Sequence, residues 1–169
     1  MALAVTLPDG VPVEGNGVIA FIADFTSITN IKAPSVAGLA AADIHTHVFG
    51  SDGWNRASTQ ATNTNRRFRS SVEIVTLGPV STTITTQYVW ENGATLTGAA
   101  AEFPVGTEGY FIERFAVDET TAWTVGQRVN VFKVKAGVQN TLPGAENAED
   151  KIEQAWAVLD QAHFVALVA

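Results

Sequence analysis

Apolar residues fill both alternating faces of residues 18–25, which read VIAFIADF. A strand that is solvated on one side alternates apolar and polar residues, whereas a strand covered on both sides is apolar throughout. The pattern therefore predicts a central, two-sided strand. Over residues 44–49, Ile44, Thr46 and Val48 alternate with His45, His47 and Phe49, which predicts a second strand.

A Gly-Pro pair punctuates the middle of the chain. Residues 72–77 and 80–90 flank Gly78-Pro79, a turn signal, and are predicted to be adjacent strands. The second of them places Val80, Ile84 and Tyr88 on one face and Thr-rich positions on the other, so one face is expected to be core. Strands are also predicted over 109–116 and 127–136, and a change of apolar phase inside the latter indicates a bulge or a change of buried face.

Two segments have helical spacing. Residues 94–103 are the best helix candidate, since Leu96, Ala99 and Phe103 follow that spacing and Pro104 ends it. Residues 151–159 fit a helix or a strand equally, and their spacing alone does not decide. The apolar, β-branched residues 163–169 predict a last strand.

A polar stretch over residues 50–71 has no sustained apolar period and is predicted to be a loop. At 22 residues it exceeds the length usual for connections in compact domains, and loops beyond about 12–15 residues are generally functional or disordered. Trp54 and Phe68 inside it need apolar surroundings. Either a partner subunit or the domain itself could supply them.

Charge is scarce and unevenly distributed. Hydrophobic residues make up 46% of the chain and charged residues 16%, below the roughly 25% of ordinary soluble domains, which suggests that much of the surface is covered by something else. Five bases balance five acids in residues 1–71, so the remainder carries the whole net charge of −7. Such a surface should repel a phosphate backbone. For the local cluster Arg66, Arg67 and Arg69 we expect a solvated or inter-subunit role rather than a phosphate site.

Candidate chemistry is sparse. The chain has no cysteine, which excludes disulfides, thiolate metal sites and cysteine nucleophiles. His45 and His47 could share a strand face as two metal ligands, but no third ligand stands at informative spacing, and we predict no metal or cofactor. No secretory signal, membrane span or catalytic motif is visible. These observations together predict a soluble, mainly β domain that builds an assembly and is not an enzyme.

The order of the segments adds a resemblance to a known family. IKAPSVAGLAAAD, the hairpin ending QYVWE, PVGTEGYFIERFA and WTVGQRVNVFKVKAGVQ follow one another as in the tail tube, or major tail, proteins of long-tailed bacteriophages, particularly those infecting actinobacteria. The resemblance covers residues 17–169 and is strongest over 32–43 and 109–139, where Gly126 and Gly137 bracket the penultimate long strand. Ala116 departs from it, because many relatives place a glycine there.

The resemblance implies a β-sandwich or barrel-type tail tube fold with one short α-helix, after an N-terminal arm of residues 1–16. Six subunits would close a β-barrel across a ring, and the rings would stack into a tube through which DNA passes to the host. The loop 50–71 would reach the adjacent ring, with Trp54, Arg56, Arg66, Arg67, Phe68 and Arg69 as candidate contacts. The C-terminal stretch would close the fold as a strand, a turn near Asp160-Gln161 and a strand.

The same resemblance implies the protein's partners and location. The chain would assemble with itself and with the tail tip initiator, tape measure and terminator proteins, in the host cytoplasm, and would remain in the virion tail. The alternative is a non-catalytic module that binds a ligand or carbohydrate on exposed aromatics, for which Trp54, Trp90 and Trp123 are candidates. A tube protein of contractile tails or secretion machines is a related possibility.

Overall fold

The computed structural model describes residues 15–23, 25–66, 73–90, 98–144 and 149–169, and it is mainly β, as predicted. Its strands are β1 (Gly17–Ile22), β2 (Asp43–Ile44), β3 (Phe49–Arg66), β4 (Glu73–Val89), β5 (Glu108–Phe115), β6 (Arg128–Leu142) and β7 (Lys151–Ala166). A 3-10 turn, Gly38–Ala41, and one helical turn, α1 (Gly98–Glu102), accompany them. The predicted N-terminal arm lies outside the described residues except for its last two.

The strands form one sheet with the order β2-β1-β5-β6-β7-β4-β3. The predicted sandwich would need two sheets, but the described strands form only one. The long strands β6 and β7 stand between β5 and β4 in the strand order and so connect them in the same sheet. The end strands β2 and β3 are not neighbours in this order, so the described sheet is not a closed barrel within one chain. That residues 17–169 form a single domain stays a prediction.

The first of two compact units contains residues 15–46, 109–132 and 161–169 among those described. Its β1 and β5 are antiparallel, with Ile22 opposite Tyr110 and Ala20 opposite Ile112, and these side chains are buried. The other face of the pair is also covered, since the rings of Phe21 and Phe111 lie 4.9 Å apart. The two-sided strand predicted for residues 18–25 is thus confirmed, although β1 ends at Ile22.

A buried arginine joins the turn that follows β5. Arg114 donates to the carbonyl oxygen of Asp118 (3.1 Å) and to Oε1 of Gln127 (3.3 Å), and its guanidinium lies 4.5 Å from the ring centre of Trp123. Burial lowers the pKa of Arg114, and the nearby Asp118 carboxylate partly offsets that effect. These contacts fix the turn between β5 and β6.

The second unit contains residues 47–66, 73–90, 98–108, 133–144 and 149–160 of the described chain, and a buried polar network organises it. Gln139 donates to the carbonyls of Ala100 (2.9 Å) and Phe103 (3.1 Å), and Gln154 donates to that of Phe103 as well (2.9 Å). The last carbonyl groups of a helix have no hydrogen-bond donors within the helix, and the two glutamine side chains provide donors for them here. Tyr88 connects both, accepting from Gln139 (2.9 Å) and donating to Gln154 (3.0 Å).

Several predicted boundaries differ from the structure. The strand predicted over 44–49 is only two residues long, because the Thr46 side chain accepts the hydrogen bond of the Ile19 backbone N–H (3.0 Å) and the chain then turns. The strand alternative for residues 151–159 is confirmed, but β7 continues to Ala166 without the predicted turn at Asp160-Gln161. The predicted helix over 94–103 is a single turn in its described part, Gly98–Glu102.

The two glycines expected to bracket the penultimate strand have different positions. Gly126 precedes β6 with a φ of +90°, a conformation that side chains disfavour. Gly137 lies inside β6, where an added Cβ would stand 2.5 Å from the carbonyl oxygen of Ala155. Gly137 is therefore a point of close strand approach and not the end of the strand.

Candidate inter-subunit hairpin

The predicted loop over residues 50–71 is a strand as far as Arg66, and this corrects the sequence prediction. β3 pairs antiparallel with β4 from Phe49 opposite Tyr88 to Arg66 opposite Glu73. The sequence of β3 contains no apolar period because most of its side chains are exposed on both faces, so burial imposes no alternation on them. Residues 67–72 lie outside the described residues.

The outer part of this hairpin has only two strands. β7 pairs with β4 over residues 83–89, so residues 73–82 of β4 pair with β3 alone among the described strands. We name residues 58–66 and 73–82 the hairpin arm. An isolated two-stranded ribbon is at best marginally stable in water, and the arm is therefore expected to pack against something.

One face of the hairpin arm carries an apolar stripe. Val75, Leu77 and Val80 are 57%, 70% and 48% exposed. Their cross-strand partners, Thr64, Thr62 and Gln60, alternate along β3, which places the three apolar side chains on one face. The stripe continues the face on which Ile84, Thr86 and Tyr88 are buried nearer the core of the unit.

A bulge brings the stripe onto that face. Gln60 pairs with Val80 and Thr62 pairs with Leu77, so β4 has one more residue than β3 between the two pairs. The extra residue lies at Gly78-Pro79, where the sequence predicted a turn; β4 is instead continuous through it. A bulge also explains how proline is accommodated, because proline has no N–H to donate to the ladder.

Comparison with known proteins assigns the chain to a family. A family model described as phage tail tube protein matches residues 5–169. The chain belongs to this family. No curated protein matches it. This tail tube protein is therefore a structural component of a phage virion tail, which assembles with itself and with other tail components.

The predicted contact residues are distributed along β3 of the tail tube protein. Trp54 is half-buried at the base of the hairpin, where its ring lies 5.7 Å from that of Phe49, so its own unit supplies at least part of its apolar surroundings. Arg56 is half-buried opposite Ile84. Arg66 ends the strand. Arg67, Phe68 and Arg69 lie outside the described residues.

The apolar stripe was not predicted from the sequence. The sequence did contain a signal for it. The apolar residues stand at odd-numbered positions before Gly78-Pro79 (Val75 and Leu77) and at even-numbered positions after it (Val80, Ile84 and Tyr88). A change of phase inside one strand indicates a bulge. The Gly-Pro pair predicted a turn instead, and only the face of Val80, Ile84 and Tyr88 was expected to be core.

The part of the tail tube protein that the structure describes shows no cluster of metal ligands. No group of three or more His, Asp or Glu side chains there is placed to hold a metal ion. His45 is buried beside Phe21, with ring centres 6.5 Å apart. No helix among the described residues is long and apolar enough to cross a membrane.

The three tryptophans considered for carbohydrate binding are each half-buried. Trp54 packs beside Phe49, and the ring of Trp123 lies under the guanidinium of Arg114. Trp90 borders a pocket of about 240 Å³ with Leu142 and Pro143. Stacking on a sugar needs an exposed ring face, and these contacts give the alternative no support.

Proposed function

We propose that the chain polymerises as stacked hexameric rings into the phage tail tube and that DNA passes through the tube to the host. The hairpin arm carries this proposal. Its two-stranded ribbon exposes an apolar stripe, and an assembled neighbour would cover that surface. The candidate contacts Trp54, Arg56, Arg66, Arg67, Phe68 and Arg69 would lie at or beside the contact with the next ring.

The open edges of the sheet support ring closure. β2 and β3 stand at opposite ends of the strand order, and each leaves backbone groups without a strand neighbour on one side in the described chain. Unpaired edges favour pairing with another chain, and closure into a barrel removes them. Six copies would join such edges into one barrel.

Charge supports the passage of DNA. The net charge of −7 would keep the phosphate backbone from adhering to the tube wall. Completion of the tail would require the tail tip initiator, the tape measure and the terminator proteins, with assembly in the host cytoplasm. The finer resemblance to proteins of phages that infect actinobacteria stays a prediction.

Shortening the arm tests the proposal. The variant joins Gln60 to Val80 through Asn-Gly, a two-residue turn that matches the pairing of these residues in the hairpin. This design leaves β3 and β4 in place at their bases, whereas deletion of residues 51–71 would remove most of β3. We expect the wild-type chain to form tubes that sediment in the ultracentrifuge, and the shortened chain to stay in the supernatant with its β-sheet circular dichroism retained.

A matched control is Asn63→Ser, which lies on the arm opposite Thr76 and on the face away from the stripe. The control should sediment like the wild type. Sedimentable tubes from the shortened chain would contradict the role of the arm. Loss of the β-sheet signal would show instead that the arm is needed for folding.

A further inference from the structure

A cleft in the first unit exposes two phenylalanines. It has a volume of about 200 Å³ and is lined by Glu113, Phe115, Ala116, Arg128, Asn130 and Phe164, among others. Phe115 is 51% exposed and Phe164 is 72% exposed. Pockets for drug-sized ligands generally measure about 300–1,000 Å³, so this cleft suits one or two side chains better than a small molecule.

The backbone around the cleft is strained at two positions. Ala116 has a φ of +58° and Phe164 has a φ of +53°, and no other non-glycine residue in the described chain has a positive φ. Left-handed conformations of residues with a Cβ are uncommon, and for a bulky side chain they are outliers. Such strain concentrates at binding sites, where the surrounding structure maintains it.

Hydrogen bonds hold Phe164 in this conformation. Its backbone N–H donates to Oδ1 of Asn130 (2.9 Å), and its carbonyl oxygen accepts from the Arg128 guanidinium (2.8 Å). Asn130 is itself buried and donates to the buried carboxylate of Glu113 (3.0 Å). This series of hydrogen bonds therefore fixes the backbone of Phe164 in a conformation that leaves its ring exposed to solvent. The exposure of the ring costs free energy unless a partner covers it.

We propose that this cleft receives the apolar stripe of the hairpin arm of a second copy of the chain, so that Leu77 and Val80 of one copy pack against Phe115 and Phe164 of the next. This inference rests on the proposed function, because it names the two surfaces that meet. Each copy carries one of each surface, and a contact between two different surfaces of identical chains repeats head to tail.

Charge favours the same pairing. Residues 49–89, which include both hairpin strands, hold four arginines against two acids, a net charge of +2, so the rest of the chain carries −9 to reach the total of −7. The cleft lining holds one acid, Glu113, and one base, Arg128. Two further acids, Asp118 and Glu119, follow Ala116 by two and three residues. Opposite charges on the two surfaces would steer their encounter and set their orientation.

The absence of native cysteine allows an unambiguous test. Chains carrying Leu77→Cys alone are mixed with chains carrying Phe164→Cys alone, under assembly conditions, and are oxidised. We expect a disulfide-linked heterodimer from this pair or from Val80→Cys with Phe164→Cys. One chain carrying both Leu77→Cys and Phe164→Cys should give a ladder of multimers on a non-reducing gel.

Ile74→Cys mixed with Phe164→Cys is the matched control. Ile74 is 45% exposed on the same strand but pairs with Asn65, on the face opposite the stripe. Its cross-linked yield should be at least about tenfold lower. Equal yields for both faces, or a cross-link formed within one chain, would overturn the inference.

A second measurement separates this inference from the proposed function. Phe164→Ser should raise the protein concentration needed for assembly by at least about tenfold, while the monomer keeps its β-sheet circular dichroism. Tubes that form normally from Phe164→Ser, together with no cross-link from Leu77 or Val80, would overturn the cleft contact and leave the tube function standing. A wild-type chain that forms no tubes even on preformed tail tips would overturn both.

Discussion

Ala116 and Phe164 concentrate backbone strain at the cleft of the first unit. The backbone N–H of Ala116 donates to the Asn16 carbonyl oxygen (3.1 Å). The resemblance to tail tube proteins had already marked this position, because many relatives place glycine there. The structure gives the physical reason, which is a left-handed turn directly after β5.

Ala116→Gly is therefore expected to stabilise the monomer. A left-handed backbone conformation costs a residue with a Cβ about 1–2 kcal/mol. Glycine removes this cost, but it also raises the conformational entropy of the unfolded chain, which cancels part of the stabilisation. The melting temperature should rise by about 1–4 °C. The control Ala57→Gly, in exposed β3, should lower it, since glycine weakens strands. A fall for Ala116→Gly as large as that of the control would contradict the strain.

The phenol of Tyr88 offers a pH-dependent test of the buried network. Burial raises its pKa from 10.0 to about 12, while the hydrogen bond from Gln139 acts in the opposite direction. The neutral phenol is therefore favoured in the folded state. The stability that it contributes is complete below pH 10 and is lost as the pH rises from 10 towards 12.

An absorbance titration of tyrosinate measures this directly, and Tyr88→Phe identifies the group. The chain has two tyrosines, Tyr88 and Tyr110, so the difference between wild type and variant belongs to one phenol. We expect no ionisation of Tyr88 near pH 10 as long as the β-sheet circular dichroism persists. A difference step centred near pH 10 in the folded protein would refute the buried environment.

Residue roles of this kind were only partly predictable. Polar residues such as Gln139 and Gln154 look like surface positions in the sequence. Their buried role could not be predicted, because the carbonyl groups that their amides bind belong to distant segments of the chain. The turn at Ala116 was predictable from the resemblance alone. The exposure of Phe164 was not, since an apolar residue in an apolar segment is expected to be buried.

At the scale of elements, the approach of β6 and β7 depends on Gly137. A Cβ at this position would stand 2.5 Å from the Ala155 carbonyl oxygen, which belongs to the backbone and cannot move without shifting the strand. We expect Gly137→Ala to lower the free energy of unfolding by about 1–3 kcal/mol in urea denaturation. Gly17→Ala is the control, because its nearest atom, the Arg114 carbonyl oxygen, is 3.5 Å away. A loss below about 0.5 kcal/mol for Gly137→Ala would contradict the close approach.

Element types were predictable wherever burial dictates the pattern. The two-sided strand β1 and the buried strands β5 and β6 were identified from their concentration of apolar residues, because each buries side chains on both faces. β3 was predicted to be a loop, since solvent contact on both faces removes the periodicity that identifies a strand. Its pairing with β4 is a backbone property that polar side chains do not reveal.

At the scale of the whole molecule, an apolar stripe, an open sheet and a low charge fraction have one explanation. Each is costly or unusual for a monomer, and each is resolved when copies of the chain cover one another. The family assignment makes the chain a structural tail protein. The hexameric ring, the stacking and the passage of DNA are our proposals for how it serves that role.

Negative-stain electron microscopy of the wild-type chain tests the central claim most directly. The purified protein is observed over a range of concentrations, with and without preformed tail tips that remove any nucleation barrier. We predict tubes with regular axial striations and sixfold symmetry in end-on views. Monomers at every concentration, even in the presence of tail tips, would contradict the account.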